Sequence, residues 1–580
     1  MTPDELEALV QSGRSLAGVA LGDLDLRGVA LRKADLRGAK LGRLQLDGAD
    51  LSGADLRGAE IAWCALRGAS LSGADLEGTV FLQSDLSDAD LSGASLTETR
   101  VIRGELRGAN LTGARLKGAN LAESRLAGAT LSSATLSGVR LDRADLSGAK
   151  LDGATLSDAS FTRADLSGAT LTRARIDGST FTEANLRRAD LTGAELDTVV
   201  LIKADLRDAA LPKKLTKTVF DGALLGALDL SGANLAGAAL EDMDFAGVSF
   251  EGADLTLSSL QGTNLRGVSF RGATLDQTML AGCDLTGADF RGATLRSCML
   301  YKARLPGVDL SGQDLEMMVF TEADLSGANL TGARLVRSVL QGADLTCADL
   351  TRALVTQTSL RTALVEGVCF EKAIFDCVDF SGVDLTRTPL AGLSISRCFF
   401  VLGNLVGMNL AGCNLSNCDF TECNLERARL DGAILTNANF KGANLRHATL
   451  SGAMAKAAFF GESVLAGAML QKAMLRNAIF VRADLTGANL AGADLRESLL
   501  MEARATEALF LGVKAHHADL SHADISGADL SGADLHWANL HHVRDERTRY
   551  LDANLATARR TDVDRLEAEA WRPPERRPSS

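Results

Sequence analysis

The sequence predicts an all-β solenoid with four short sides per coil and a short helix at each terminus. A five-residue unit of small, polar, large apolar, polar and glycine residues repeats almost from end to end, as in Ala49-Asp50-Leu51-Ser52-Gly53 followed by Ala54-Asp55-Leu56-Arg57-Gly58. A five-residue period suits neither an α-helix, near 100° per residue, nor a half-buried strand, near 180°. The chain must therefore bend once per unit. Phenylalanines then set the number of sides: Phe380, Phe400, Phe420, Phe440, Phe460 and Phe480 share the large position and recur every fourth unit. Phe250, Phe270 and Phe290 do the same, as do Phe161 and Phe181. If like residues stack in successive coils, one coil holds four units.

Within a unit, Ala-Asp-Leu alternates as extended chain does, with the small and large residues inward and the acid outward. The following polar-Gly pair turns the corner, because glycine accepts left-handed backbone. Of the 20 phenylalanines, only Phe399 and Phe459 stand outside the large position. Where a large position shrinks, the next one grows: Ala455 is followed by Phe460, and Ala505 by Phe510.

In chain order, residues 1–13 predict an N-terminal capping helix, with Thr2 as N-cap, Pro3 at the first helical position and Gly13 as a stop. Such a helix covers the open backbone edge of the first coil. Residues 14–211 form a first repeat segment of about 40 units, with large residues from Leu16 to Leu211. Residues 212–219 break the register, and Pro212 with Lys213, Lys214 and Lys217 marks a loop or kink. The repeat resumes over 220–558, with about 68 units from Phe220 to Leu555. The whole reads as one solenoid of about 27 coils with a defect, or as two abutting segments. Residues 559–580 predict a capping helix with Val563, Leu566 and Ala570 on one face, then a disordered tail from Arg572.

The A-(D/N)-L-x-G units resemble the pentapeptide-repeat family over nearly the whole chain. That resemblance implies a right-handed quadrilateral β-helix whose large residue, and the small residue two before it, point inward. The residues point to a non-enzymatic, rod-like scaffold that binds partner proteins through its outer walls or ends, and the resemblance implies a second class, DNA-mimicking proteins that bind gyrase. The N-terminal helix with a long repeat also looks like repeat proteins associated with bacterial contractile secretion systems.

The net charge of −13, from 61 basic and 74 acidic residues, has both signs interspersed, which disfavours nucleic-acid binding. The N-terminus Met1-Thr2-Pro3-Asp4-Glu5 lacks a basic stretch followed by an apolar one, and no apolar run reaches membrane-spanning length. A cytoplasmic protein without membrane partners is expected. DNA mimicry needs a continuous acidic face. Asp35, Asp55 and Asp75 stack on one wall, but Ser95 and Arg115 follow them in the same column.

Candidate sites follow from departures from the repeat. Cys64, Cys283, Cys298, Cys398, Cys413, Cys418 and Cys423 take the inward small position, which favours packing over metal or disulfide chemistry. His516, His517, His522, His536, His541 and His542 cluster near the C-terminal end. The 20-residue coil stacks His516 beside His536 and His522 beside His542, with His517 facing Trp537. The repeat supplies no third ligand, so no metal or cofactor is assigned. Outward apolar residues are the stronger interaction signal. A belt of Met454, Phe459, Val464, Met469, Met474 and Ile479, with Leu499 and Leu509, replaces the usual polar residues. Met279, Met299, Val319 and Val339 form a stripe along one wall. These twelve positions are the expected protein-interaction surface, with self-association through the belt or the ends as a further expectation. No catalytic residues are assigned, because the repeat spreads its polar groups over convex walls instead of gathering them in a pocket.

Overall fold

A computed structural model describes residues 2–226 and 229–571. The tail from Arg572, expected to be disordered, lies outside the described residues. The chain falls into two compact units, Met1–Thr294 and Leu295–Ser580. Each is a parallel, right-handed, four-sided β-solenoid in which residues 20 apart pair between coils, for example Asp35 with Asp55 and Asn404 with Asn424.

The unit at Ala49–Gly53 shows why the sequence builds this shape. Ala49 and Leu51 are buried, while Asp50 between them faces outward and is half-buried. Asp50 donates its backbone N–H to the Val29 carbonyl at 2.9 Å, and Leu51 donates to the Ser70 carbonyl at 2.7 Å. One residue thus pairs with the preceding coil and its neighbour with the following one, so the backbone of each wall is satisfied without long strands. The corner is a turn closed by the Ala54 N–H on the Leu51 carbonyl at 3.0 Å, with Gly53 at φ 64°. A left-handed third residue is what a type II turn requires. Where Lys33 or Arg143 stands at that place the backbone keeps φ at 54° or 57°, so the stacked coils impose the conformation on residues that disfavour it.

Asp50 also accepts from the N–H of Ser52 at 3.1 Å. This Asx contact recurs at Asp85, Asp145, Asp324 and Asn489 and is the physical reason that Asp or Asn precedes the large residue.

Some units extend into three-residue strands. In the first unit β1 (Ala20–Gly22), β2 (Lys40–Gly42), β3 (Glu60–Ala62), β4 (Val80–Leu82) and β5 (Arg100–Ile102) form one parallel sheet in that order. β6 (Thr155–Ser157), β7 (Arg175–Asp177), β8 (Glu195–Asp197) and β9 (Lys214–Thr216) form a second. In the second unit β10 (Arg334–Val336), β11 (Leu354–Thr356), β12 (Ile374–Asp376) and β13 (Ser394–Ser396) form a third.

The core is a set of ladders. Phe380, Phe400, Phe420, Phe440, Phe460 and Phe480 stack nearly parallel with centroids 4.8–5.1 Å apart, which is the spacing of paired strands. Phe161 and Phe181 stack at 4.7 Å. Polar residues at the small position are satisfied inside: Thr79 Oγ1 donates to the Leu56 carbonyl at 2.7 Å, and Thr99 Oγ1 to that of Leu76 at 2.7 Å.

At the register change within 212–219, the sequence suggests a loop or kink; the residues instead carry β9 and keep the ladder. Leu196 pairs with Leu215 and Val200 with Val219, so one coil is 19 residues long instead of 20. The missing residue is absorbed at the corner, where Pro212 is buried and Leu211 is half-buried. Proline suits that corner because its lost N–H removes a donor that the shortened turn could not place.

The two termini are closed differently. Helix α1 (Pro3–Gln11) begins with a capping box between Thr2 and Glu5 and buries Leu6 completely. Its Glu7 Oε1 accepts the N–H of Ala30 at 2.7 Å, a donor in the first coil with no preceding coil to meet. At the other end the interior positions turn polar. Asp545, Tyr550, Leu555 and Arg560 take the large positions, and the Tyr550 hydroxyl donates to Asp545 at 3.1 Å. Helix α2 (Val563–Ala570) does not present the expected apolar face: Val563 and Ala570 are exposed and only Leu566 is half-buried. The end it meets is polar, so polar contacts hold it instead.

Candidate functional site

Two features depart from the repeating surface: an apolar wall in the second unit, and the histidines beneath α2.

The outward position of the repeat normally carries Asp, Asn, Ser or Thr because that residue braces the turn. Where it is apolar the brace is lost, and what remains is exposed hydrocarbon. Bridges place Met299, Val319 and Val339 in one column, which continues through Ser359, Asp379, Phe399, Asp419 and Asn439 to Phe459, Ile479 and Leu499. Three of the four stripe residues and three of the eight belt residues therefore share one wall. Met279 belongs to the first unit, in the column of Ser259. The rest of the belt turns onto other walls: Met454 pairs with Met474, Val464 lies between Asn444 and Asp484, and Met469 and Leu509 flank Asn489. Met299, Met469, Met474 and Leu509 are exposed, whereas Met279, Val319, Val339, Met454, Phe459, Val464, Ile479 and Leu499 are half-buried against their neighbours.

Sequence reasoning left Phe399 out of the surface, although it had set that residue apart from the core. Phe399 is 47% exposed and lies on the apolar column, with Leu402 beside it at 63%. The missed signal was its residue number: Phe399 differs from Phe459 by three full coils.

The acidic column is placed as expected, Asp35 over Asp55 over Asp75 and then Ser95 and Arg115. Its charge is compensated. Arg37 lies 2.7 Å from Asp35 and 3.6 Å from Asp55, and Arg57 lies 2.6 Å from Asp55 and 3.5 Å from Asp75. The Arg57 guanidinium beside Asp55 holds that carboxyl below the usual carboxylate range.

All seven inward cysteines are buried, whereas Cys347 and Cys369 are exposed. Burial pushes the Cys283 and Cys423 thiols up to about 12. Their sulfurs donate to main-chain carbonyls, Cys283 to Leu260 at 2.8 Å and Cys423 to Phe400 at 2.6 Å.

The histidine pairs stack as the 20-residue coil predicts, but the two pairs differ. His516 faces Asp534, and His536 Nδ1 meets Thr557 Oγ1 at 2.9 Å, so that pair is divided between other partners. His517 stacks on Trp537 with centroids 6.5 Å apart. In the other pair, Nδ1 of His522 and Nδ1 of His542 approach to 3.2 Å. Glu569 of α2 lies over them, with Oε2 3.2 Å from His522 Nε2 and 3.3 Å from His541 Nε2. Arg565 binds the other oxygen of Glu569 at 2.7 Å and holds this carboxyl below its ordinary range. His541 is 2% exposed, and its Nδ1 accepts the N–H of Asp562 at 3.0 Å. The third group that the repeat could not supply thus comes from a helix outside the repeat. Among the described residues, no helix is long and apolar enough to cross a membrane.

The pentapeptide-repeats family profile matches this chain over 25–100, 105–213, 223–312, 319–357 and 404–544. No curated protein matches. Among solved structures, HetL of Nostoc sp. strain PCC 7120, a pentapeptide repeat protein involved in heterocyst differentiation regulation, is similar at 29% identity. That match covers 52% of this chain and 97% of HetL, with a TM-score of 0.15. Full-length QnrB1, a plasmid-mediated fluoroquinolone resistance protein, is 23% identical over 38% of this chain and 92% of its own, with a TM-score of 0.21. A pentapeptide repeat protein of the Arabidopsis thaliana thylakoid lumen is 35% identical over 19% of this chain and 68% of its own, with a TM-score of 0.09.

Proposed function

The chain belongs to the pentapeptide-repeat family, and from that premise we propose that it is a non-enzymatic scaffold that binds partner proteins through its outer walls. The observation that carries this reading is the column of Met299, Val319, Val339, Phe399, Phe459, Ile479 and Leu499, apolar where the repeat calls for a turn-bracing polar side chain. Each such residue gives up the Asx contact and leaves hydrocarbon in water, costs that a partner covering the wall would recover at roughly 25 cal/mol per Å². The filled interior supports a role outside catalysis: Leu and Phe occupy the large positions and leave the lumen to side chains.

The test is capture of partners from the native cell extract by the immobilised chain and by a Met299→Asp, Phe399→Asp, Phe459→Asp variant, whose three changes lie on that column. The wall reading expects the captured proteins to disappear with the variant; unchanged capture removes this wall as a binding surface. Mimicry of DNA toward gyrase is the second reading, and Arg37 and Arg57 within the acidic column weigh against it. Gyrase supercoiling assayed with and without the protein separates the two, since potent inhibition would reverse their order.

A further inference from the structure

We propose that His522, His542 and Glu569 form a binding site for a divalent transition-metal ion of the zinc, nickel or copper class, and that the ion fastens helix α2 to the end of the solenoid.

The geometry of the imidazole pair comes first. Two nitrogen donors of a tetrahedral ion, each at about 2.0–2.1 Å, stand about 3.3 Å apart. The Nδ1 atoms of His522 and His542 are 3.2 Å apart. The coil spacing brings the rings together, and their edge-on packing at 77° closes the gap: the two histidines occupy the same turn position in successive coils, at φ 60° and 52°, so their side chains leave the backbone in the same direction. Two neutral imidazoles facing each other through Nδ1 have one proton to share at best, whereas an ion uses both lone pairs.

The carboxylate comes second. One ligand atom from each of His522, His542 and Glu569 lies within 4.8 Å of the other two; Glu569 Oε2 meets His522 at Nε2, 3.2 Å away, so it must cross the ring edge to join an ion at the Nδ1 pair. All donors of one tetrahedral ion stand about 3.3 Å apart at the bond lengths above, so a side-chain shift of about 1.5 Å closes the third bond. Water completes the shell.

Glu569 is also kept beside the pair. The Asp562 N–H occupies His541 Nδ1, so His541 carries its proton on Nε2 and presents it to Glu569 Oε2 at 3.3 Å. His541 is a positioning residue in this arrangement, a buried group that orients a ligand it does not share with the ion. Imidazole with carboxylate suits zinc, nickel and copper.

The test is isothermal titration of the full chain with Zn2+ and with Ni2+ at about pH 7.5, where proton competition for imidazole is small, alongside hydrogen exchange of α2. One ion per chain is expected. His522→Ala and His542→Ala should each weaken binding at least about tenfold, and His516→Ala should leave it unchanged. Zn2+ should slow amide exchange across 563–570 in the parent chain and not in Glu569→Gln, which separates a ligand from a bystander. Because all four variants alter surface or half-buried side chains, equal circular dichroism spectra verify their fold. Absence of binding by the parent, a histidine variant that binds as tightly as the parent, or equal protection of α2 in Glu569→Gln would each overturn the proposal.

Discussion

The backbone N–H of Asp562 donates to Nδ1 of His541 across 3.0 Å, tying the N-cap of α2 to the one buried histidine of the C-terminal end. Together with Glu569, this contact does the work that an apolar face does in α1. Substituting His541 by Ala is expected to release α2. Amides over 563–570 should then exchange at least about tenfold faster, with little change in the unfolding midpoint, because α2 buries no residue completely.

The phenylalanine ladder predicts a graded loss of stability. Phe420 stacks between Phe400 and Phe440, with centroids at 4.8 and 4.9 Å. Phe420→Ala removes the ring from two neighbours at once and is expected to cost about 3–5 kcal/mol. Phe420→Leu restores the residue that most units carry and is expected to cost under about 1.5 kcal/mol. Urea unfolding of both variants checks the order; equal losses would overturn it, because leucine would then fail to replace the ring at all.

The buried thiols predict an alkaline limit. In the folded chain Cys283 and Cys423 ionise only near about 12, against an ordinary value of 9.0. Between these values the unfolded chain has lost the proton and the folded chain keeps it. Stability therefore falls as pH rises through that window, by at most about 1.4 kcal/mol per pH unit for each thiol. Cys423→Ala, the residue that most units place there, should flatten the slope of stability against pH. Thiol reagents at neutral pH should label exposed Cys347 and Cys369 before any of the seven buried cysteines.

The N-terminal cap predicts controlled association. Leu6 is fully buried and Glu7 accepts the Ala30 N–H at 2.7 Å, so α1 covers both core and edge. Leu6→Asp with Glu7→Ala should expose an open coil, and light scattering after size exclusion should find larger species at higher concentration. A chain that keeps the parent's mass would show that α1 does not guard the edge.

By itself the sequence determined the coil. A five-residue period with a fixed inward pair leaves one way to bury leucine and satisfy the backbone, and phenylalanines 20 apart reveal its four sides. The stacking of His522 on His542 and the burial of seven cysteines follow from the same arithmetic. The tertiary structure alone decided what breaks that arithmetic. The shortened unit at Leu211 and Pro212 reads locally as a loop, yet the ladders on both sides hold β9 in register, since pairing is satisfied between coils and not along the chain. Phe399 shares the column of Phe459 and Met299 by that same arithmetic, and the structure adds that it stands 47% exposed there. Glu569 reached the histidines because α2 folds back over the last coil, and no repeat spacing encodes where a helix outside the repeat comes to rest.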